Sequence, residues 1–372
     1  MSAAPHLVAA VASHGWGHLS QTIPIVAALR ARVPGLRTTV RTGLPAPLVR
    51  ARFAAAGLPA PGVAPDDVEF GFTMRDALTV DGAASLARYR GLLAERHERL
   101  AREVDALRAL RADLVLANVG WLPIAAGAAL GLPAFGACSL NWADLVAARW
   151  PDDADAAAVV DWMVAGYDRA DALFALEPGM PFERFANRVR VPPVVKPPVP
   201  GRRDALRAAL GVERDARVAM LAFGGLPLHV DTTAWRLPEG VAAVVMAEGG
   251  TDASRVRTGA SLGWSYADVL ASCDLLVAKP GYGTFAEAGF AARDTAYVPR
   301  DDWPEAPHLV DWLARHARVA RVSLEAVRAG RFDAALAEID AQPARRSATG
   351  DGAAVIADAI GARLGVAPVS PP

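Results

Sequence analysis

The sequence predicts an α/β protein made of two doubly wound parallel-sheet domains. Three observations point there. Apolar strand-like runs alternate with helical patterns from the first residues onward, the alternation restarts after one proline-rich break, and each half carries a glycine turn between a strand and a helix. At 372 residues the chain is long enough for two domains with separate cores.

In the first half the apolar runs predict strands over residues 6–13, 37–42, 113–118, 133–138 and 172–176. Between them, helical spacing such as that of Ile23, Val26 and Ala27 predicts helices over 19–32, 46–56, 84–110, 122–130 and 154–170. The break is the stretch 191–201, with five prolines in eleven residues, a semi-rigid extended connector. Beyond it come a helix over 202–210, strands over 216–223 and 241–247, a helix over 266–272, a strand over 274–278, a helix over 285–292 and a strand over 295–299. A last helical pattern covers 351–364. The domains expected are therefore 1–190 and 202–345, joined by the 191–201 linker, with a C-terminal helix and tail at 346–372.

Bulk properties narrow the function. A chain 53% apolar and 21% charged is globular, and a net charge of −1 excludes nucleic-acid binding driven by bulk electrostatics. Cys138 and Cys273 have no metal-ligand spacing and read as small buried residues. The N-terminus shows no leader pattern and no window is long and apolar enough to span a bilayer, so a cytoplasmic protein is expected.

The most informative stretch is Asp274 to Glu287. Its apolar run from Leu275 to Ala278 breaks at Pro280-Gly281 and enters a helix whose first turns hold Thr284 and Glu287. Glycines let backbone approach a ligand, and a helix start offers unpaired N–H groups and a positive dipole end to phosphate. Gly281, Tyr282, Gly283 and Thr284 would supply those N–H groups and one hydroxyl. Glu287, one turn further in, is placed to grip the vicinal hydroxyls of a ribose, and its neighbours Phe285, Ala286 and Ala288 suggest a buried helix where an idle carboxylate is costly. Lys279 is either a phosphate counter-charge or a solvent-facing strand end. Together these parts describe a pocket for a nucleoside diphosphate.

A second glycine loop lies in Val8 to His18, where Gly15 and Gly17 make room for a ligand or only for a sharp strand–helix turn. Gly224-Gly225, after the strand ending at Phe223, makes a third turn open to the same two readings. The residues after it, 226–235, read as a short, irregular stretch rather than a helix. The adjacent pairs Asp152-Asp153 and Asp301-Asp302 read as surface turns, and no Asp-x-Asp lies near either glycine loop, so no metal and no cofactor are expected.

Lys279-Pro-Gly-Tyr-Gly-Thr-Phe-Ala-Glu287, followed by Val298-Pro-Arg300 and Trp303-Pro-Glu305, resembles the nucleotide-sugar signature of the GT-B class of glycosyltransferases. That class has two Rossmann-like domains facing across a cleft. Ser13-His-Gly-Trp-Gly-His18 fits the glycine loop of the same class, and the likeness extends to the lipid II-forming N-acetylglucosaminyltransferases and the amino-terminal part of plant L-arabinokinases. The resemblance implies an inverting transfer from a nucleotide-diphosphate sugar, a uridine one being expected, to an unidentified small-molecule or lipid-linked acceptor on the first domain. His18 would be the general base, as an imidazole with an ordinary pKa near 6.5 can take a hydroxyl proton at neutral pH. His14 is its rival, or lines the site, and Asp144 is a candidate partner for the imidazole. Arg300 would neutralise phosphate and Glu305 touch the donor sugar. Trp264 falls where such enzymes carry a loop that holds the base, though packing is the commoner use of a tryptophan, as for Trp121, Trp142, Trp150 and Trp162. Residues Val49, Arg50, Arg52 and Phe53 leave a peripheral membrane contact open. Two other readings remain beside the transferase: a module that binds a nucleotide sugar without transferring it, and a sugar-nucleotide epimerase.

Overall fold

The computed structural model describes residues 4–14, 17–66, 71–75, 79–196, 198–223, 231–246 and 250–366. It divides into two compact units: Met1–Arg75, Thr79–Val195 and Gly350–Pro372 form the first, and Lys196–Thr349 the second.

The first unit runs β1 (His6–Val11), α1 (Gly17–Arg32), β2 (Arg37–Arg41), α2 (Ala46–Ala55), β3 (Gly62–Ala64), α3 (Gly82–Ala94), α4 (Arg96–Ala109) and β4 (Leu114–Asn118). It continues with α5 (Trp121–Ala129), β5 (Ala134–Cys138), α6 (Trp142–Arg149), α7 (Ala154–Tyr167), β6 (Ala172–Leu176) and β7 (Arg188–Val191). Its seven strands stand in the order β3-β2-β1-β4-β5-β6-β7 and every pair is parallel. Parallel sheets are covered on both faces, which is why β1, β4 and β5 are buried along their whole length and read as unbroken apolar runs.

The second unit runs α8 (Arg203–Leu210), β8 (Arg217–Ala222), β9 (Val241–Val245), β10 (Val256–Thr258), α9 (Gly259–Leu262), α10 (Tyr266–Ser272), β11 (Leu275–Ala278) and α11 (Tyr282–Phe290). Then follow β12 (Asp294–Tyr297), α12 (Ala306–His316), β13 (Val319–Arg321), α13 (Leu324–Ala329) and α14 (Asp333–Asp340). Its sheet, β10-β9-β8-β11-β12-β13, repeats the strand order of the first unit and is again wholly parallel. A core from Leu221, Phe223 and Val277 to Phe332 and Ile339 fills one face. Each such buried aliphatic or aromatic side chain contributes about 1.5–3 kcal/mol.

In both sheets the chain winds outward in two directions from a central pair, β1/β4 and β8/β11. At that reversal the connections leave to opposite faces, so a crevice opens at the carboxyl ends of the two strands. His14, after β1, and the turn after β11 fall there.

Helix α15 (Gly352–Arg363) returns to the first unit and packs along α1, with an Arg32–Asp358 ion pair of 2.5 Å. Its entry is tight: Gly352 donates to the Pro193 carbonyl, and a Cβ on Gly352 would overlap the carbonyl of Pro192. The proline stretch is thus packed against at its start.

The structure corrects two sequence expectations. The helix expected over 84–110 is two helices, α3 and α4, joined at Glu95, whose φ of −95° and ψ of 12° leave the helical range. Residues 94–98 are all exposed, so no buried face ties the halves into one straight axis. The possible membrane stripe on α2 is also not available, because Val49 and Phe53 are buried in the core, at 0% and 1% exposure. Among the described residues no helix is long and apolar enough to cross a membrane.

Helix α11 is held against α12 by Gly289, where a Cβ would overlap the Trp312 ring. Gly289→Ala is expected to lower the unfolding free energy by about 1–3 kcal/mol through overpacking. Chemical denaturation checks this, and Trp312→Leu in the same chain should restore part of the loss.

Candidate functional site

In the second unit the Asp274–Glu287 stretch folds as β11, a turn and α11. The N-cap of α11 is Gly281, extended at φ −157°, and among the described residues no side chain caps the helix. Neither Gly281 nor Gly283 is needed for packing. Among the described residues a Cβ at Gly283 would meet nothing within 4 Å, and one at Gly281 would only reach the Lys279 carbonyl at 4.0 Å. The first turn of α11, with the positive end of the helix dipole, starts at these two glycines.

Charged groups gather around this turn. Lys279 follows the last residue of β11, and burial together with the nearby Arg300 guanidinium pulls its ammonium down to about 8. Arg300 lies just after β12, which pairs with β11 through Ala278 and Tyr297. Burial depresses it too, offset by Glu305 and Asp302. Its guanidinium lies 4.4 Å from the centroid of the Trp303 ring, and its Nε is buried without a hydrogen-bond partner among the described residues. The Trp303 Nε1–H donates to Glu305 Oε2 at 3.0 Å, and Glu305 is itself only 5% exposed. Thus β12 is followed by a small frame in which an acid holds an indole and the indole backs an arginine.

Glu287 lies one turn into α11, flanked by Phe285, Ala286 and Ala288 at 0% exposure. Burial pushes its carboxyl up to about 7, with Lys196 acting weakly the other way. Tyr266, the first residue of α10, faces the same spot: burial and the Glu287 carboxylate both raise its phenol. Trp264 lies elsewhere, under the Arg202 guanidinium at 4.3 Å.

In the first unit His18 is in the opening turn of α1 and 7% exposed. Its Nδ1 lies 2.8 Å from Asn118 Oδ1. Asn118 ends β4, directly across the ladder from Val11, the last residue of β1. Cys138 Sγ, at the end of β5, is 3.7 Å from the same nitrogen. Burial lowers the His18 pKa from 6.5, and the Asn118 bond partly opposes it. Trp142 lies beside both histidines, with ring centroids 5.8 Å from His14 and 6.3 Å from His18. Gly71 closes this group, since a Cβ there would stand 2.7 Å from both His14 and Trp142. A Cβ at Gly17, by contrast, would meet nothing within 4 Å among the described residues. Gly15, Gly224 and Gly225 lie outside the described residues.

These two units are the halves of a known architecture. The glycosyltransferase of kitacinnamycin is similar over 91% of this chain and 92% of its own, with a TM-score of 0.58 at 18% identity. Spinosyn rhamnosyltransferase SpnG complexed with thymidine diphosphate is similar over 97% and 96%, at 0.57 and 18%. The chain has the GT-B fold. UDP-N-acetylglucosamine 2-epimerase is similar as well, over 97% of both chains with a TM-score of 0.55 at 13% identity. In sequence the chain is 30% identical over 315 residues to L-arabinokinase of Arabidopsis thaliana. That match takes in 83% of this chain, which spans only 30% of the length of that curated relative. No family model matches the chain.

Within the GT-B frame, Lys279, Gly281, Tyr282, Gly283, Thr284, Glu287, Arg300 and Glu305 all lie in the second unit. They sit on or just after the carboxyl ends of β11 and β12, and His14 and His18 follow the carboxyl end of β1. Asp144 does not meet the imidazole. Its carboxylate accepts from Asn141 at 2.7 Å and from Arg184 at 2.9 Å. The partner is Asn118, whose signal in the sequence is a single amide closing the apolar run Leu114–Ala117. Tyr266 and Gly71 carried no signal, because only the packing brings them to these groups.

Glu287 has a measurable consequence. A carboxyl raised in the folded state from 4.5 to about 7 favours folding fully below pH 4.5, and that contribution is lost as pH rises toward the folded value. Between those limits the chain should lose up to about 3 kcal/mol of unfolding free energy relative to Glu287→Gln. Urea titrations of both proteins from pH 4.5 to 8 read the difference directly.

Proposed function

We propose that this chain is an inverting glycosyltransferase that takes its sugar from a nucleoside-diphosphate donor. The observation that carries this reading is the constellation at the ends of β11 and β12: a helix start with no side-chain cap among the described residues, two glycines that packing does not require, two partly buried cations and a partly buried carboxyl of raised pKa. The first-turn N–H groups of α11, Lys279 and Arg300 would hold the diphosphate, Glu287 the ribose hydroxyls and Glu305 the donor sugar. These groups carry the charge that develops on the leaving diphosphate without a metal ion.

In the step proposed, His18 accepts the proton of the acceptor hydroxyl while that oxygen attacks the anomeric carbon from the face opposite the diphosphate. The new glycosidic C–O bond forms as the anomeric C–O bond to phosphate breaks, and the nucleoside diphosphate leaves with the electron pair. Configuration inverts. His14 would line the acceptor side.

The sequence reading favours a uridine donor, whereas the spinosyn rhamnosyltransferase is complexed with thymidine diphosphate. Melting shifts with UDP-, dTDP- and GDP-linked sugars separate these, since a ligand of the native state raises the transition. His18→Ala should lose about 10²–10⁴-fold of nucleoside-diphosphate release, the usual worth of a general base. It should still bind the donor, while Glu287→Ala should weaken donor binding. Undiminished release by His18→Ala would overturn the role of that residue. Tight donor binding with no release under any condition would support a binding module, and an altered free sugar formed without acceptor would support an epimerase.

A further inference from the structure

The amide of Asn118 has only one sensible orientation. Its Nδ2 lies 3.3 Å from the backbone carbonyl of His18 and 2.9 Å from Gln21 Oε1. A backbone carbonyl cannot donate, so the group facing it must be the NH₂. Gln21 Oε1 accepts from that NH₂, and its Nε2 donates to Ser139 Oγ at 3.1 Å. Asn118, Gln21 and Ser139 are 1–2% exposed, so turning the amide over would leave buried acceptors face to face. The orientation puts Oδ1 against His18 Nδ1 at 2.8 Å, and an amide oxygen only accepts. Nδ1 must therefore carry the ring proton, and the Cys138 sulfur beside it acts as a second, weaker acceptor.

We infer that Asn118 is a positioning residue that locks His18 in the Nδ1-protonated tautomer and leaves Nε2 as its single basic nitrogen. It does so without charge. A carboxylate at this place would fix the same tautomer but also stabilise the imidazolium and raise the pKa. A neutral amide fixes the ring while burial keeps it unprotonated, so the base is ready in slightly acidic solution as well as at neutrality. Among the described residues, Asn118 from β4, Cys138 from β5 and Trp142 from α6 lie against the ring, and His14, from the loop after β1, lies against the same Trp142. Of these only Cys138 and His14 can titrate.

This inference rests on the proposed role of His18, but one of its tests does not need activity. Two-bond ¹H–¹⁵N correlation spectra of the full chain, with His18 assigned from the pattern that disappears in His18→Gln, read the tautomer of the free protein. The expected pattern has a protonated Nδ1 and a bare Nε2 at pH 7.5, with titration below 6.5. A protonated Nε2 would overturn the inference, whatever the activity. Asn118→Asp should keep the tautomer and move the His18 titration, and with it the acid limb of nucleoside-diphosphate release from UDP- or dTDP-glucose, to higher pH. An unmoved titration would also overturn it. Asn118→Ala should lower kcat about 10- to 100-fold with donor KM unchanged, less than the ~10⁴-fold seen when a wrong tautomer is enforced. If the tautomer is as expected and His18→Ala still releases nucleoside diphosphate at the full rate, the transferase reading fails and the lock stands.

Discussion

The parallel sheet is the constraint from which the rest follows. Each unit buries its strands on both faces, so the strands themselves can carry almost no chemistry. Polar side chains are left the strand ends, and only at the reversal of winding do two neighbouring connections part to leave room. The chain uses this twice. His14 follows β1 and Asn118 ends β4; Lys279 follows β11, beside β8 in the other sheet.

The two ends differ in electrostatics. Around β11 and β12 burial acts against charge, drawing Lys279 down and Glu287 up, and Arg300 offers a buried Nε with no partner among the described residues. Elsewhere in the same unit the arginines are matched with acids: Arg203 and Arg207 share Asp274, and Arg318 meets Asp294. Holding cations partly dry costs stability, which the Glu305 and Asp302 carboxylates offset only in part at Arg300. Around His18 the solution is different, since its hydrogen-bonded string of Asn118, Gln21 and Ser139 is neutral throughout.

The layout could be read from the sequence because the central strands are long apolar runs and the helices between them keep a 3.6-residue period. The elements that the reading passed over are the helices α6, α9 and α12 to α14 and the strands at the sheet margins. Strands β3, β10 and β13 have three residues each, and β7 reads Arg-Val-Arg-Val with three of its four residues exposed. Such edges are kept short and charged, which removes the pattern that betrays a strand. Site residues divide the same way. Lys279 to Glu287 are contiguous, so their motif survives in one dimension, whereas His18 and Asn118 meet across 100 residues of chain and Glu287 meets Tyr266 only through helix packing.

Glycines show best what the third dimension adds. In the sequence Gly281, Gly283 and Gly289 look alike, three small residues along one turn and helix. In the folded chain Gly289 is fixed by the Trp312 ring, while a Cβ at Gly283 would meet none of the described residues within 4 Å. One is required by the fold and the other is not, so only the second leaves something for a ligand to explain. The same distinction applies to the fold as a whole. Glycosyltransferases and a sugar-nucleotide epimerase share it, so the backbone decides where a ligand can sit and not what happens to it. That choice falls to single side chains whose protonation the packing controls, and here the strongest control is an uncharged one: an amide pinned by a backbone carbonyl, facing an imidazole it can orient but not charge.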